Sequence, residues 1–332
     1  MRTVLLFCLS LLAACEPSPT LERFGGPTMG SSYSIQYVRQ PGGPAPEQVQ
    51  AAVEGILRAI DAHYSTYRGD STVSHFNLLP ANQCLPIDSD LRELVAFGQL
   101  LAEQSQGAYD LTVEPLLDLW GFGPQSRELQ VPEPQALARA RQRVGYQHVR
   151  IEADTLCKDA PVELDFNSIA AGHAVDLIAE RLWAMGIDSF LAEATGELKA
   201  VGRKPDGSPW RVALELPRED RQIARQVIPV QGLAVSTSGD YRHYFEDNGR
   251  RYSHTFDARL GRPVEHDLAA VTVLDASALQ ADGYSTLLLI LGPERGWDFA
   301  IAHGLAAVLV TRAEGGFVSR STPAFDRALK GE

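Results

Sequence analysis

A mixed α/β fold with two intimately joined lobes is what this sequence predicts, and three observations carry that expectation. Apolar residues recur at helical spacing in several long stretches, as in Val49, Val53, Ile56, Leu57 and Ile60. Between them lie short runs of period two, such as Tyr33, Ile35 and Tyr37, which read as half-buried strands. At 332 residues, 45% hydrophobic and 22% charged, the chain can bury one large core or two coupled smaller ones. No internal repeat divides it.

Charge narrows the function. The 30 basic and 42 acidic residues leave a net charge of −12, which gives no electrostatic footprint for nucleic acid. An anionic ligand therefore needs local help, from a bound cation or from the positive end of a helix.

Residues Val4 to Ala14 form an apolar run behind Met1-Arg2, too short to span a bilayer and ending in Leu12-Ala13-Ala14-Cys15. The small residues ahead of Cys15 resemble a bacterial lipobox, so the expectation is an exported lipoprotein with a signal peptide over 1–14 and lipid, palmitate included, on Cys15. An ordinary secretory signal with an incidental cysteine is the alternative. Residues 15–22 then read as a lipid-anchored tether, holding the protein on the periplasmic side of the inner membrane. Cys8 leaves with the signal, so Cys84 and Cys157 remain in an oxidising compartment. They can pair, or they can lie apart as two buried thiols; neither belongs to a CxxC or metal-ligand spacing.

After a glycine-rich turn over 23–30, Tyr33, Ile35 and Tyr37 mark a strand, and the stripe beginning at Val49 marks a helix ending near Tyr64. Tyr67 and Arg68 follow it as candidates for ring stacking and anion contact. A second helix is expected from about Ser89, with Leu91, Leu94, Val95, Phe97, Leu100 and Leu101, ending near Gly107. Residues 108–124 mix small, aromatic, acidic and glycine residues without periodicity, as a ligand-lining loop does. Within it Trp120 reads individually as a core residue.

Val162 to Phe166 is expected as a short strand feeding a helix whose stripe is Val175, Ile178, Leu182 and Met185. The small residues of its first turn, around Ser168, Ala171 and Gly172, let a phosphate approach backbone N–H groups and the helix dipole. No Walker motif is present, and the glycines fit no dinucleotide fingerprint; Gly172 also suits close helix packing. Strands are then expected over 190–202 and 210–215, joined by a Pro/Asp/Gly turn, and over 232–242, 251–263 and 268–274. A terminal hairpin spans 306–319.

A last helix, from about Ser277 to Ile290, places Asp282 and Thr286 on one face, because residues four apart stack along a helix. With Ser285 they offer only hard oxygen donors, the chemistry of Mg²⁺ or Ca²⁺ and not of zinc. His254 is a candidate proton acceptor near neutral pH, and Asp257 is placed to orient it or to join a metal shell.

Together these segments resemble the ApbE family, the FAD:protein FMN transferases. The resemblance rests on Thr28-Met29-Gly30-Ser31, on Ser65-Thr66-Tyr67-Arg68, and on Gly107-Ala108-Tyr109-Asp110 with Leu119-Trp120-Gly121-Phe122-Gly123-Pro124. It continues through Asp165 to Asp176, Thr237-Ser238-Gly239-Asp240-Tyr241, Ser253-His254-Thr255-Phe256-Asp257 and Ala281 to Thr286. Each motif is weak, but their order is specific. It implies a single domain over 23–332 with the nucleotide in a crevice between the lobes.

The resemblance further implies that FAD is split at its pyrophosphate and FMN is passed, with magnesium, to a Thr or Ser hydroxyl of another protein, releasing AMP. The acceptors it implies are exposed Thr or Ser residues on flavoprotein subunits of membrane redox complexes. By the same resemblance the metal is held by Asp282, Thr286, the position of Ser285 and the backbone carbonyl of Ser168. Met29, Tyr67, Ala108, Tyr109, Asp110, Asp165, Ala171 and Phe256 fall where the family contacts FAD. The chain departs from the family pattern at Ala171, where Lys or Glu is frequent, at Ser285, where some members have Asp, and at Ala258, where Pro is usual. Two alternatives stay open: an FAD pyrophosphatase releasing FMN and AMP, and a non-enzymatic lipoprotein that stores FAD.

Overall fold

The burial of Tyr33, Ile35 and Tyr37 follows from strand geometry, since alternate side chains of a strand share one face. In the computed structural model, which describes residues 18–125, 128–218 and 224–331, these three lie on β2 (Ser31–Arg39). That strand is paired antiparallel with β1 (Thr20–Thr28) across a turn at Met29 and Gly30. Residues 20–22 of the expected tether already belong to β1, where Thr20 pairs with Arg39, and the glycine-rich turn expected over 23–30 is corrected, because the ladder continues through Gly25 and Gly26. Gly25 is where a strand needs no side chain, for a Cβ there would lie 2.5 Å from the Tyr33 carbonyl oxygen. Cys15 and the signal segment lie outside the described residues.

Helix α1 (Pro46–Tyr64) comes next, followed by α2 (Thr72–Leu78), the short strand β3 (Gln83–Pro86) and α3 (Ser89–Gln104). The Asp88 carboxylate caps α3 by accepting the Leu91 N–H at 2.9 Å. Residues 108–124 are not all loop, because they hold α4 (Glu114–Trp120), closed by Gly121 at φ 96°. Glu114, Pro115, Leu116 and Trp120 of this helix are all buried, so no polar face showed in the sequence.

Helix α5 (Pro134–Arg141) and strands β4 (Val149–Glu152) and β5 (Thr155–Lys158) follow. β5 lies between β3 and β4 and sets Cys157 opposite Cys84, and the two form a disulfide. The strand expected over 162–166 is absent: its one ladder contact is an isolated Val113–Glu163 bridge. Asn77 stands in for a neighbouring strand, its Nδ2 donating to the Leu164 carbonyl at 2.9 Å while its Oδ1 accepts the Leu164 N–H at 2.7 Å.

From α6 (Ala170–Ala184) the chain passes into β6 (Phe190–Ala194) and β7 (Glu197–Val201), which pair with each other across Thr195 and Gly196. β8 (Trp210–Glu215), expected as their neighbour, instead forms its own two-stranded sheet with β9 (Ala224–Val230). β10 (Leu233–Gly239) returns to the main sheet. The single strand expected over 251–263 is broken into pieces. β11 (Tyr244–Asp247) pairs with β12 (Arg250–Ser253), and β13 (Phe256–Asp257) with β14 (Arg262–Pro263), leaving His254 and Thr255 between them. β15 (Leu268–Asp275), α7 (Ala278–Leu291), α8 (Pro293–Ala302), β16 (Ala306–Ala313), β17 (Gly316–Ser321) and α9 (Pro323–Ala328) complete the chain.

Eight strands make one antiparallel sheet in the order β1-β2-β6-β7-β10-β15-β16-β17. The mixed α/β class is confirmed, with apolar cores on both faces of this sheet. Ala234 and Val273 point into the larger core with α1, α3, α6 and α7, whereas Val235 and Leu274 point into a smaller one with Trp210, Ile228 and Phe325. The period of two therefore decides which side of the sheet each residue of β7 and β10 serves.

The disulfide closes a loop of 73 residues, so removing it by Cys84→Ser/Cys157→Ser should lower unfolding free energy by about 2–4 kcal/mol. Urea denaturation of the double variant against oxidised wild type measures it; unchanged midpoints would show that the bridge contributes nothing.

Candidate active site

Helix α7 begins where Ser277 accepts the Gln280 N–H at 3.2 Å. One half-buried carboxylate on α6 fixes that beginning. Asp176 accepts hydrogen bonds from the Ser277 hydroxyl at 2.7 Å and the Leu279 N–H at 3.0 Å, and its other oxygen accepts Lys199 Nζ of β7 at 2.8 Å. Four bonded protein groups hold its pKa below the usual range against the opposing effect of burial. Three elements are locked together at this point.

One turn further along, α7 meets α6 at Gly172. The Gly172 N–H donates to Asp282 Oδ2 at 2.9 Å. A Cβ at Gly172 would lie 2.4 Å from the Ala278 carbonyl oxygen and 2.7 Å from the Asp282 Cβ, so only glycine permits this approach. Both uses considered for the first turn of α6 converge on one residue. The phosphate reading is altered accordingly, because the Gly172 N–H is already given to a carboxylate of the protein.

Asp282 is 5% exposed, and burial foremost, then the charge of Glu197, raises its pKa well above the carboxylate range. Around it stand hydroxyls. Ser285 donates to the Asp282 carbonyl at 2.9 Å and lies 3.2 Å from Ser236 Oγ and 2.8 Å from Ser238 Oγ, and Ser238 is 2.9 Å from Thr286 Oγ1. Ser236 and Ser238 reach α7 because they share the Ala234 parity of β10. Glu197 arrives from β7, where it accepts the Thr195 hydroxyl at 3.0 Å, and burial raises its pKa also. Sequence reasoning passed over Ser236 and Glu197 and quoted Ser238 only as part of a motif, without a role. The alternating serines were a usable signal, but Glu197 had none beyond its glycine neighbour.

The donor set is oxygen only, and burial raises the pKa of both its carboxylates, opposed at Glu197 by the Thr195 hydroxyl and the Arg242 charge. That fits a hard divalent cation such as Mg²⁺. Asp282 and Thr286 would be the side chains to hold it. Ser285, expected beside them, is fully buried, and its hydroxyl donates to the Asp282 carbonyl and lies against the β10 serines. Ser168 lies close by, its hydroxyl 2.8 Å from the Tyr109 phenol. Burial and the nearby Asp282 charge raise the Tyr109 pKa.

The positions expected to meet FAD are mostly walls. Ala108, Tyr109, Asp165 and Phe256 are buried, Ala171 lies at the start of α6, and Met29 sits in the β1–β2 turn at φ 43°. Tyr67 is 66% exposed and free to stack. Asp110 is committed to the loop, accepting the Thr112 N–H and hydroxyl and the Tyr146 N–H at 2.7–2.8 Å. Asp165 accepts both the Asn167 N–H and its side-chain amide, and burial raises it together with its neighbour Glu114. Arg68 is not available for an anion: Asp61 and Asp70 hold it at 3.1 and 2.9 Å.

His254 and Asp257 do not form the expected pair. Asp257 is held by the guanidinium and backbone N–H of Arg259, so its carboxylate is spent there rather than on His254. His254 leans on the chain of its other neighbour, with Nδ1 3.1 Å from the His243 carbonyl oxygen. Its ring reaches solvent, yet the protein packed around it lowers its pKa below the ordinary 6.5, opposed by the His243 carbonyl and reinforced by the charges of His243 and Arg242. A histidine neutral at neutral pH can accept a proton.

The ApbE family model matches residues 29–309. This chain belongs to the ApbE family. An FAD:protein FMN transferase of Vibrio cholerae is 38% identical over 323 residues, covering 97% of each chain. One from Haemophilus influenzae is 36% identical, covering 95% of this chain and 94% of the other. Among solved structures, the apo flavinyl transferase ApbE of Pseudomonas stutzeri superposes with a TM-score of 0.88 at 55% identity, covering 94% of this chain and 97% of that one. The ApbE protein of Thermotoga maritima still reaches 0.82 at 26% identity, over 93% and 99% of the two chains. The α6–α7 contact and the serines of β10 thus lie within the part of this chain that the family model spans.

Gly172→Ala tests the contact between the two helices. Forcing a methyl between α6 and Asp282 should cost about 1–3 kcal/mol of stability and displace the Asp282 carboxylate. Thermal melts with and without Mg²⁺ would show a lower midpoint and a smaller magnesium-induced rise; a wild-type response would mean that the helices part without consequence.

Proposed function

We propose that this protein moves the FMN portion of FAD onto a Thr or Ser hydroxyl of another protein. The observation that carries the reading is the oxygen cluster of buried Asp282 with half-buried Thr286 and Ser238 at the start of α6, in a chain so similar to proteins named FAD:protein FMN transferase. Asp282 and Thr286, with the Ser168 carbonyl, would hold Mg²⁺, which when bound offsets the charge of the pyrophosphate.

His254 accepts the proton of the acceptor hydroxyl as its oxygen bonds to the FMN phosphorus. The bond from that phosphorus to the AMP phosphate oxygen breaks, and AMP departs with the electron pair. Every atom is accounted for: FAD and a hydroxyl give a phosphoester and AMP. Tyr67 is the exposed ring on which a flavin or adenine stacks. Water in place of the acceptor would give FMN and AMP instead.

Asp282→Ala and His254→Ala separate these roles. Asp282→Ala should abolish AMP release, transfer and the magnesium dependence of FAD binding together. His254→Ala should keep magnesium-dependent FAD binding while transfer falls by about 10²- to 10⁴-fold. Because the His254 pKa is lowered, transfer should decline only as pH falls below about 6.5, and that acid limb should vanish in His254→Ala. Full transfer by Asp282→Ala at limiting magnesium, read as stable fluorescence on a denatured acceptor, sinks the proposal.

The lipobox-like residues before Cys15 support export and lipid anchoring at the periplasmic face of the inner membrane, where acceptor subunits of redox complexes would be met. Cys15→Ser should leave precursor or soluble protein in fractionated cells. Normal membrane retention of that variant would count against the anchor.

A further inference from the structure

The transfer reaction needs two substrates, and the residues assigned above account for one. None of the positions expected to touch FAD or the cation lines the 330 Å³ cavity on the opposite face of the main sheet. Its floor is Leu198 of β7 with Val235 and Thr237 of β10, the residues whose parity turns them away from Asp282. One wall is Ser31 with Thr195 and Gly196, the other Val212 to Glu215 of β8, and Tyr241 and Arg242 close one end.

Two features of this cavity point to an extended polypeptide. Four consecutive residues of β8 line it and no described residue of β9 does, although β9 is the strand with which β8 pairs. The edge of β8 facing the cavity is therefore its unpaired one, a row of backbone donors and acceptors of the kind that captures an added strand. A floor of apolar and hydroxyl side chains beneath such an edge takes alternate side chains of the added strand. At about the lower limit of small-ligand sites, the volume holds only a few residues.

The second feature is where the cavity ends. Arg242 precedes His243, whose carbonyl accepts the His254 N–H at 3.0 Å. The Arg242 charge reaches both His254 and Glu197, and its Nη1 would lie 3.5 Å from a Cβ on Gly196. Gly196 belongs to the turn that carries Glu197 to the cation cluster. The cavity thus opens beside the proton acceptor, at the sheet end shared with Ser238 and Thr286.

We infer that this cavity is the acceptor groove: the polypeptide carrying the Thr or Ser lies along the free edge of β8 and presents its hydroxyl to His254 from the sheet face opposite FAD. This rests on the transfer reading. It assigns acceptor recognition to main-chain pairing with β8, to small or apolar side chains over Leu198 and Val235, and to Arg242 at the mouth.

The probe is a short synthetic peptide spanning the flavinylated Thr or Ser of a subunit recovered from the same bacterium by its covalent flavin fluorescence. Ala213 is exposed on β8 and lines the groove, so Ala213→Trp puts an indole at its rim without touching the cation cluster. It should leave FAD binding and acceptor-free AMP release unchanged while raising the KM for the peptide by about tenfold or more. As a second measurement, Ala213→Cys bearing a benzophenone should cross-link the peptide, and Val318→Cys, exposed on β17, should not. An unaltered peptide KM in folded Ala213→Trp, or equal labelling from both cysteines, overturns the groove while leaving the transfer reading intact. Wild type that releases AMP yet never labels the peptide overturns the transfer reading and the groove with it.

Discussion

The hydrogen bond from Gly172 to Asp282 is the contact on which the rest of the site depends. It joins the beginning of α6 to the middle of α7 at a separation that excludes any Cβ, and it leaves a carboxylate buried at the positive end of a helix. One backbone N–H does not make a buried carboxylate comfortable, as its raised pKa shows. Asp282 is therefore a group whose environment favours either a proton or a cation. The Asp176 cluster supplies the rigidity this needs, for it ties the start of α7 to α6 and to the Lys199 of β7. Removing one member of such a buried ion pair leaves the other uncompensated, which costs far more than the pair itself contributes.

The main sheet turns one chemical problem into two compartments. Along β10, Ser236 and Ser238 face α7 while Val235 and Thr237 face the β8 side, and along β7, Glu197 and Lys199 face the helices while Leu198 does not. A slip of one residue in the register of either strand would move every hydroxyl and carboxylate to the wrong side. The antiparallel pairing of Leu233 with Ala200 and of Val235 with Leu198 fixes that register, and apolar cores on both faces reinforce it. The chemistry is specified by the same alternation that specifies the packing.

What could be read in the sequence were the features set by local periodicity. Helices α1, α3, α6 and α7 and strands β2, β10, β15 and β16 follow from their own spacing, and Asp282 with Thr286 follows from a separation of four. What could not be read were features completed from far along the chain. Leu164 looked like a strand residue until Asn77, distant in sequence, supplied both of its hydrogen bonds. Asp257 looked like a partner for His254, but Arg259, two residues on, takes it instead. The hydroxyl contacts of Ser285 could not be read either, because the β10 serines that meet it belong to a strand far along the chain. Glu114 went unnoticed because its significance comes only from lying against Asp165.

The acidic balance of the chain, which argued against an anionic partner, is resolved by where its charges are spent. Arg68 is held by Asp61 and Asp70, Arg259 by Asp257, and Arg312 by Asp240. These arginines stabilise loops rather than forming a phosphate-binding surface. A dinucleotide carrying a pyrophosphate would meet carboxylates at Asp282 and Glu197 and no free guanidinium among the cluster's described residues. Repulsion between those charges and the substrate is strong at close range in a partly buried site. A divalent cation held at Asp282 would reverse the sign of that interaction. In the proposed reaction a cation at Asp282 would therefore serve nucleotide binding as well as catalysis, since no guanidinium among the cluster's described residues takes the phosphates.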